Sequence, residues 1–536
     1  MKQTVYDYIV VGGGSAGCAA AYRIAERSNA DVLLVEAGAG DQQAMIKIPI
    51  GFSALMAEGK NNWNYRSEAA AGLGGRSIPI PRGKVLGGCS STNGMVYIRG
   101  QREDYDAWAE QGNSGWSYEE VLPLFKRSEN HWGGATPYHG SSGLLEVNQV
   151  TKTFPVGDAF IEAAAATGIP RNNDFNGASQ EGVGYFDTTI SQGIRHSSAR
   201  AFLHPRVKPD NLTVITRFET SRILFEGTRA TGIEGVYAGR SSGPIRLVAK
   251  EEVIISAGAY NSPKLLELSG IGNCELLGKL GIEVVADLPG VGENLQDHCN
   301  TYLFYETSAC ETYYDHIRWW RAPFTALQYL LGKKGIFANP AAQIGAFLKL
   351  DDDAERPDTQ IHFAAGAAKA DEQGKMVPVP GICASICQLR PRSVGSTHVV
   401  SARPDATPAI RLNLLGHRED QLHQLRALKK LRDIFAQSLI APLIGRELPP
   451  FGGGLTSDSE LLSGIRQVSE SVHHPVGTCR MGNDKHAVVT PDLKVIGIEG
   501  LRIADASVMP RIVSGNTHAP CVMIGEKLAD LVLGAA

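Results

Sequence analysis

Two stretches near the C-terminus contain histidines whose setting suggests chemistry. "SVHHPVGTCRMG" places His473 and His474 side by side before Pro475, and "SGNTHAP" adds His518. Imidazole titrates near neutrality, so a histidine within hydrogen-bond reach of a substrate hydroxyl can take its proton at physiological pH. A zinc site is the rival reading. It needs three or four ligands at suitable spacing, and His473, His474 and Cys479 offer no such set, so no metal is expected. For an isolated histidine, a hydrogen-bonded structural role is the ordinary outcome, and other stretches must decide which ring works.

The elements that would position these rings begin at the N-terminus. "YDYIVVGGGSAGCAAAYRIAE" reads as a short β-branched strand, Ile9 to Val11, then a glycine turn, then an alanine-rich helix. Gly12, Gly14 and Gly17 fall on the G-x-G-x-x-G spacing. The first glycine permits the turn, the second lets a pyrophosphate approach the backbone, and the third packs helix on strand; the helix N-terminus offers its free N–H groups to phosphate. A second apolar run, "DVLLVEAG", ends in Glu36, placed to accept hydrogen bonds from a ribose diol and to repel a 2′-phosphate, so an NADP-type cofactor is disfavoured. The same letters, Gly13-Gly14-Ser15-Ala16-Gly17, also match a nucleophile elbow, with Asp505 and His518 downstream in serine-hydrolase order. That reading fails on position, because only about ten residues precede the turn and the hydrolase fold needs earlier strands and an upstream oxyanion loop.

Two further stretches extend the parallel sheet. "EEVIISAGAYNSPKLLELSGIG" gives a buried strand, Val253 to Ser256, a turn, and a leucine-rich helix starting at Pro263; "GLRIADASVMP" is a last strand ending in Asp505. The helix after "SGNTHAP" repeats Val522, Ile524, Leu528, Leu531 and Val532 at helical spacing. Between them, "GKVLGGCSSTNGMVYIRG" is a second glycine-rich loop, with Ser90, Ser91 and Asn93, small enough to let a planar ring lie against backbone.

Bulk properties narrow the class. A chain of 536 residues suggests two to four domain-sized units. Net charge −4 with 20% charged and 43% hydrophobic residues is ordinary for a soluble protein, and no basic stripe suggests nucleic acid. Nine cysteines, odd in number and without Cys-x-x-Cys pairs, fit a reduced setting. No signal peptide precedes the first strand and no apolar run approaches the roughly 20 residues of a membrane span, so a cytoplasmic protein is expected.

In order along the chain, the N-terminal cradle, "RGKVLGGCSSTNGMVYIRG", "GAYNSPKLLELSGIG", "PGVGENLQDH", "HHPVGTCRMG" and "ADASVMPRIVSGNTHAP" resemble the glucose-methanol-choline (GMC) oxidoreductase family over nearly the whole sequence. Within it, the layout is similar to bacterial choline, aliphatic-alcohol and sorbose dehydrogenases. The resemblance implies an α/β (α+β overall) architecture: a Rossmann-like FAD-binding domain interleaved with a substrate domain built on an antiparallel sheet flanked by helices. The implied FAD-domain parts are residues 1–150, 191–300 and 461–536, and the substrate-domain parts are 151–190 and 301–460. It implies FAD held by Gly12, Gly14, Ser15, Ala16 and Gly17 at the pyrophosphate, and by Glu36 with Ala37 at the adenosine ribose. Val85, Gly88, Asn93, Gly94 and Val96 would lie near the isoalloxazine, Thr220 at the adenine, Asp505 and Ala506 at the ribityl and phosphate, and Asn516 and Thr517 at the pyrimidine edge. Some members attach FAD covalently through a histidine in the second loop; this chain has Thr92 there, so non-covalent FAD is expected.

The implied reaction is oxidation of a primary (or sugar or amino) alcohol to an aldehyde or ketone. His474 takes the hydroxyl proton, flavin N5 takes the hydride, and His518 occupies the second catalytic position; His473 keeps the structural reading, its ring turned into the scaffold. A flavin-dependent lyase or photoenzyme on the same scaffold is the alternative. The partners expected are a small alcohol and an electron acceptor: a quinone, a dye-like acceptor or O2.

Between about residues 301 and 460 the pattern shifts to short alternating runs, "TQIHFAA", "GICASICQL" and "STHVVSA", read as an antiparallel sheet. Leu422, Leu425, Leu428, Leu431 and Phe435 form a helical face to cover it. "HIRWWRAPFTALQYLLGKKG" is aromatic-rich with flanking cations; a pocket-lining helix is the favoured reading, and peripheral contact with the inner face of a membrane the less favoured one.

Overall fold

The computed structural model of the chain describes residues 4–56, 59–204, 206–239, 243–351, 353–370 and 376–534. Its first layer is a seven-stranded sheet. In spatial order the strands are Leu212–Thr216, Val32–Glu36, Val5–Val11, Ile245–Ile255, Arg229–Tyr237 and Phe218–Glu226, and Leu501–Ile503 pairs with the C-terminal end of Ile245–Ile255. The centre is parallel: Val5–Val11 lies between Val32–Glu36 and Ile245–Ile255, and the stretches Ile9–Val11, Val32–Val35 and Val253–Ile255, β-branched or leucine-rich, are buried. One strand thus serves two neighbours: the first half of Ile245–Ile255 pairs antiparallel with Arg229–Tyr237, and its last three residues pair parallel with Leu501–Ile503.

Two helices cover this sheet near the site. Ser15–Glu26 starts one turn after the first strand, and the C-terminal helix His518–Val532 packs along it. Arg23 and Arg127 clamp Glu526, at 2.9 and 2.6 Å, so the alanine-rich helix and the C-terminal helix are tied by charge as well as by packing. The leucine-rich helix spans Asn261–Leu268, two residues earlier than Pro263 suggested, and the last strand closes at Ile503, leaving Asp505 in the turn beyond it.

The second layer is a six-stranded sheet in the order Glu470–Ser471, Cys299–Glu306, Gly381–Gln388, Thr359–Ala364, Ile344–Leu348 and Gly182–Tyr185, antiparallel throughout. One of the three alternating runs behaves differently: Ser396–His398 pairs with Ala409–Arg411 in a separate two-stranded sheet. Side chains alternate across a strand, so each strand presents one face to a core and one elsewhere. Leu303, Ile361, Phe363, Ile382, Ala384 and Ile386 face the helix Arg418–Phe435, whose Leu425, Leu428, Leu431 and Phe435 are buried; Leu422 is only half-buried. Each buried leucine contributes about 1.5–3 kcal/mol. Phe160 stacks on Phe363 at 4.4 Å and meets Phe435 at 5.8 Å, which brings the helix Pro155–Ala166 into the same core. The opposite face of this sheet looks toward the first layer. None of the nine cysteines forms a disulfide, and no helix among the described residues is long and apolar enough to cross a membrane.

Candidate active site

A cavity of about 790 Å³ lies between the two layers. On the parallel-sheet side its wall is largely backbone. At Gly12 the backbone is left-handed (φ +108°), and a Cβ there would lie 2.3 Å from the Ser256 carbonyl oxygen. A Cβ at Gly17 would fall 2.0 Å from the Gly12 oxygen, so this glycine packs helix on strand and does not itself line the cavity. Gly14, Ser15 and Ala16 do line it, as do Glu36 and Ala37. Glu36 is held rigidly: its carboxylate accepts the backbone N–H of Gly13 (3.0 Å) and of Gly38 (2.7 Å), while burial pushes its pKa up to about 7.

The second glycine loop contributes Gly88, Asn93, Gly94 and Val96 to the wall, and Val85 lies buried behind it, bridged to Ala39. Arg195, almost wholly buried, donates to the Asn93 carbonyl and to Asn93 Oδ1, which fixes this loop without a carboxylate partner; burial lowers the guanidinium pKa to about 9. Thr220 borders the far end, and Asp505, Ala506, Asn516 and Thr517 complete the wall from the C-terminal motifs. Asp505 accepts from Ser262 Oγ and from the backbone N–H groups of Gly258 and Ser507, so its carboxylate secures three turns around the opening of the sheet. Thr220 Oγ1, Tyr260 OH and His518 Nε2 line this cavity and are buried without a protein partner, the arrangement expected of groups that face a polar ligand. The glycine cradle, the buried ribose-side carboxylate and these unpaired polar atoms together fit FAD.

The facing wall is built from side chains. Asn300, Tyr302 and Phe304 alternate along one strand, His362 and Ala364 along a second, and Cys383 and Ser385 along a third. Register places them side by side: Ser385 opposes both Tyr302 and His362, and Cys383 opposes both Phe304 and Ala364. Seven strand positions of period two thereby become one continuous surface.

His474 sits where the two walls meet, and its hydrogen bonds define its tautomer. His298 Nε2 lies 3.0 Å from the Leu389 carbonyl, which can only accept, so that nitrogen carries the proton. Burial holds His298 neutral, its pKa lowered to about 4, and leaves its Nδ1 an acceptor. His474 Nδ1, 3.0 Å away, therefore donates to it. The lone pair of His474 is left on Nε2, where Asn516 Nδ2 donates at 3.1 Å; Asn516 is turned this way because its Oδ1 accepts from Gln360 Nε2 (3.2 Å). Burial, with His298, His362, His473 and Arg82 nearby, drives the His474 pKa well below 6.5. The ring is a neutral base whose unprotonated nitrogen, Nε2, is turned to Asn516 at the cavity wall.

His473 aims its neighbour. Its backbone is left-handed (φ +67°), unusual for a residue with a side chain, and is held there by Ser471 Oγ accepting its N–H (2.7 Å) and Arg82 donating to its carbonyl (2.8 Å). The next N–H, that of His474, donates to Asp297 (2.9 Å), whose carboxyl burial raises to about 6. His473 is also among the residues that line the cavity, with its Nδ1 buried and without a protein partner.

His474 and His518 line the same cavity, but the hydrogen-bond partner at His474 Nε2 is not His518. Asn516 makes that contact, and His518, first residue of its helix, directs Nδ1 to Ser15 Oγ at 3.0 Å. This Ser15–His518 contact is the one element of the hydrolase reading that the fold assembles, and it lacks the rest: Asp505 is committed to Ser262, Gly258 and Ser507, and burial lowers the His518 pKa to about 4. Three residues escaped the sequence reading. His298 lies in the quoted "PGVGENLQDH", and Gln360 and His362 lie in "TQIHFAA", where two polar residues spaced by two in an apolar strand signal a face turned away from the core. Away from the cavity, Asp351, Asp358 and His423 converge, but Arg426 pairs with Asp351 (2.6 Å) and Thr359 Oγ1 with His423 (2.7 Å).

Comparison with known proteins agrees with this geometry. Family profiles described as GMC oxidoreductase match residues 6–300 and 391–525. An oxygen-dependent choline dehydrogenase of Brucella suis is 41% identical over 531 residues, covering 98% of this chain and 95% of its own, and that of Rhizobium johnstonii is 42% identical over 532 residues at the same coverage. Among solved structures, pyridoxine 4-oxidase from Mesorbium loti superposes with a TM-score of 0.87 at 30% identity over 98% of both chains. A formate oxidase variant from Aspergillus oryzae reaches a TM-score of 0.92 at 26% identity, covering 100% of this chain and 99% of its own. With its profile matches, its relatives and its two-walled cavity in agreement, the chain belongs to the GMC oxidoreductase family, FAD-dependent oxidoreductases acting on CH–OH donors.

Proposed function

We propose that the protein oxidises a primary alcohol, or a sugar or amino alcohol such as choline, to the corresponding aldehyde, or to the ketone where the carbinol is secondary, with His474 as the general base. One observation carries the reading: the tautomer chain from the Leu389 carbonyl through His298 leaves the Nε2 lone pair of His474 beside Asn516 at the cavity. A substrate hydroxyl that takes the place of the Asn516–His474 contact would donate its proton to His474 Nε2 and accept from the released Asn516 amide, so the alkoxide character that develops on its oxygen is stabilised as it forms. FAD, when bound, supplies the two-electron acceptor for the carbinol hydrogen. Ser15, Ala16, Glu36, Ala37, Asn93, Thr220 and Asp505 hold it on this reading, and the N-terminus of the helix His518–Val532 favours negative charge at its pyrimidine edge, by about 0.3–1 kcal/mol at an exposed site and more when buried.

The cofactor is held without a covalent bond. Thr92 lines the cavity in the loop where some relatives of this fold carry a histidine, and a hydroxyl offers no imidazole nitrogen for that linkage. Choline is the first substrate to test, given the relatives' names, and Tyr302, Phe304 and Tyr313 are among the aromatic side chains that line the cavity and could meet a quaternary ammonium. The two alternatives of different chemistry, a lyase and a photoenzyme, do not reduce the flavin with an alcohol. Anaerobic mixing of the purified holoenzyme with choline and a panel of primary and sugar alcohols should bleach the visible flavin absorbance with at least one; bleaching by none overturns the proposal. Acid precipitation should leave the yellow colour in the supernatant, and colour retained in the pellet overturns the non-covalent reading.

A further inference from the structure

The helix that follows the cavity-lining Tyr313 and Ile317 contributes no residue to the cavity wall, contrary to the pocket-lining role expected of it, and its polarity is reversed. Helix Ala322–Gly332 is attached to the body through Thr325 and Tyr329, one turn apart, whose hydroxyls donate to the His316 and Gly193 carbonyls. Its outward face carries Phe324, Leu327 and Leu331, and Trp319, Trp320 and Leu330 stand beside them. Trp319 is 82% exposed, Leu331 81% and Phe324 76%. A surface helix ordinarily turns such residues inward, and a contiguous exposed patch of this kind marks an interaction site.

Charge says what covers it. Arg318, Arg321, Lys333 and Lys334 flank the patch, and no acidic residue occurs from 317 to 334. Arg318 lies over the Trp320 ring at 4.4 Å, holding an indole and a cation at one level, the placement such residues take at a lipid headgroup boundary. A second copy seated symmetrically on this face would set four cations against four cations. The patch is also continuous with the site: Ile317 and Tyr313, immediately before it, line the cavity.

We propose that this rim docks the protein on an anionic lipid bilayer, with Trp319, Phe324 and Leu331 in the interfacial layer and the four cations against the headgroups. The cavity mouth then lies at the acyl–water boundary, where an apolar electron acceptor or an amphiphilic alcohol dissolved in lipid reaches it without crossing bulk water.

Co-sedimentation of the holoenzyme with vesicles tests this. Vesicles of phosphatidylcholine with about 30% phosphatidylglycerol should carry the protein down, and pure phosphatidylcholine should bind it at least about tenfold more weakly. Raising salt to about 0.5 M should weaken binding to the anionic vesicles. The variant Trp319→Ser/Phe324→Ser/Leu331→Ser should stay in the supernatant yet keep its kcat/KM on a water-soluble alcohol, because none of the three lines the cavity. Equal sedimentation of this variant, absence of wild-type binding to either vesicle, or a wild-type dimer in analytical ultracentrifugation that the variant loses would each overturn the proposal, the last in favour of a second copy.

Discussion

The two walls of the cavity are made of different material. Toward the parallel sheet the wall is backbone: glycines that exclude a Cβ, N–H groups, and a carboxylate pinned by two of them. Toward the antiparallel sheet it is side chains, taken alternately from three strands that are adjacent in space and distant in sequence. A backbone wall suits a ligand that never changes, because its contacts do not depend on which side chains drift. A side-chain wall can be re-cut one residue at a time without disturbing the sheet beneath, since the inward-facing residues of the same strands pack the core. On this view the first wall holds FAD and the second selects the alcohol, with His474 at the seam.

The largest expected effect separates chemistry from binding. His474→Ala should lower kcat/KM by about 10²–10⁴-fold, the range for loss of a general base, with flavin content unchanged by absorbance ratio. If flavin is lost in parallel, the seam is structural and the division of labour fails. Gly17→Ala attacks the backbone wall: its Cβ would lie 2.0 Å from the Gly12 oxygen, so helix and strand must part. Overpacking of this kind typically costs about 1–3 kcal/mol, and here it should appear as a lower melting point and a lower flavin-to-protein ratio, whatever the substrate.

Smaller and more diagnostic is His298, which touches His474 and does not line the cavity. His298→Ala removes the acceptor that fixes the tautomer and should reduce kcat about 10–100-fold, as loss of such supporting contacts does elsewhere. His298→Asn, whose amide oxygen can take the place of Nδ1, should recover part of that rate. A merely structural role would give no such recovery.

The mildest effect is with pH. His298, His362 and His518 are pushed down to about 4 by burial, and His473 to about 3, so between pH 6.5 and 4 the unfolded chain takes up protons that the folded chain refuses. Each such histidine costs up to about 1.4 kcal/mol of stability per pH unit as pH falls through that window. Asp297 and Glu36, raised to about 6 and about 7, act in the opposite direction and offset part of it. The melting temperature should therefore fall from pH 7.5 to pH 5, while kcat/KM, which needs neutral His474, should hold as pH passes through 6.5.

The same contrast explains what could be read from the sequence. Motifs of the backbone wall are local, since a strand, a turn and a helix must follow one another within a few residues, and Gly12, Gly14, Gly17 and Glu36 announce them. The side-chain wall has no such signature. Its residues are ordinary members of alternating strands, and only register puts Tyr302, Ser385 and His362 together. The catalytic pairing fell between the two cases. The motif singled out His474 as the proposed base, but Asn516 and His518 lie two residues apart at a helix start, and only the turn into that helix decides which reaches it. Helical periodicity located the cover of the antiparallel sheet, although Leu422 lies at the edge of its buried stripe.

The histidine pair behind the cavity has the look of a proton wire, yet it is a cul-de-sac. Past His474 and His298 the path ends on the Leu389 carbonyl, an atom with no proton to pass on and nowhere to send one. A proton accepted at Nε2 of His474 must leave by the nitrogen it entered. On the proposed role of His474, that proton returns through the cavity, to solvent or to the departing product, and not through the protein behind the ring.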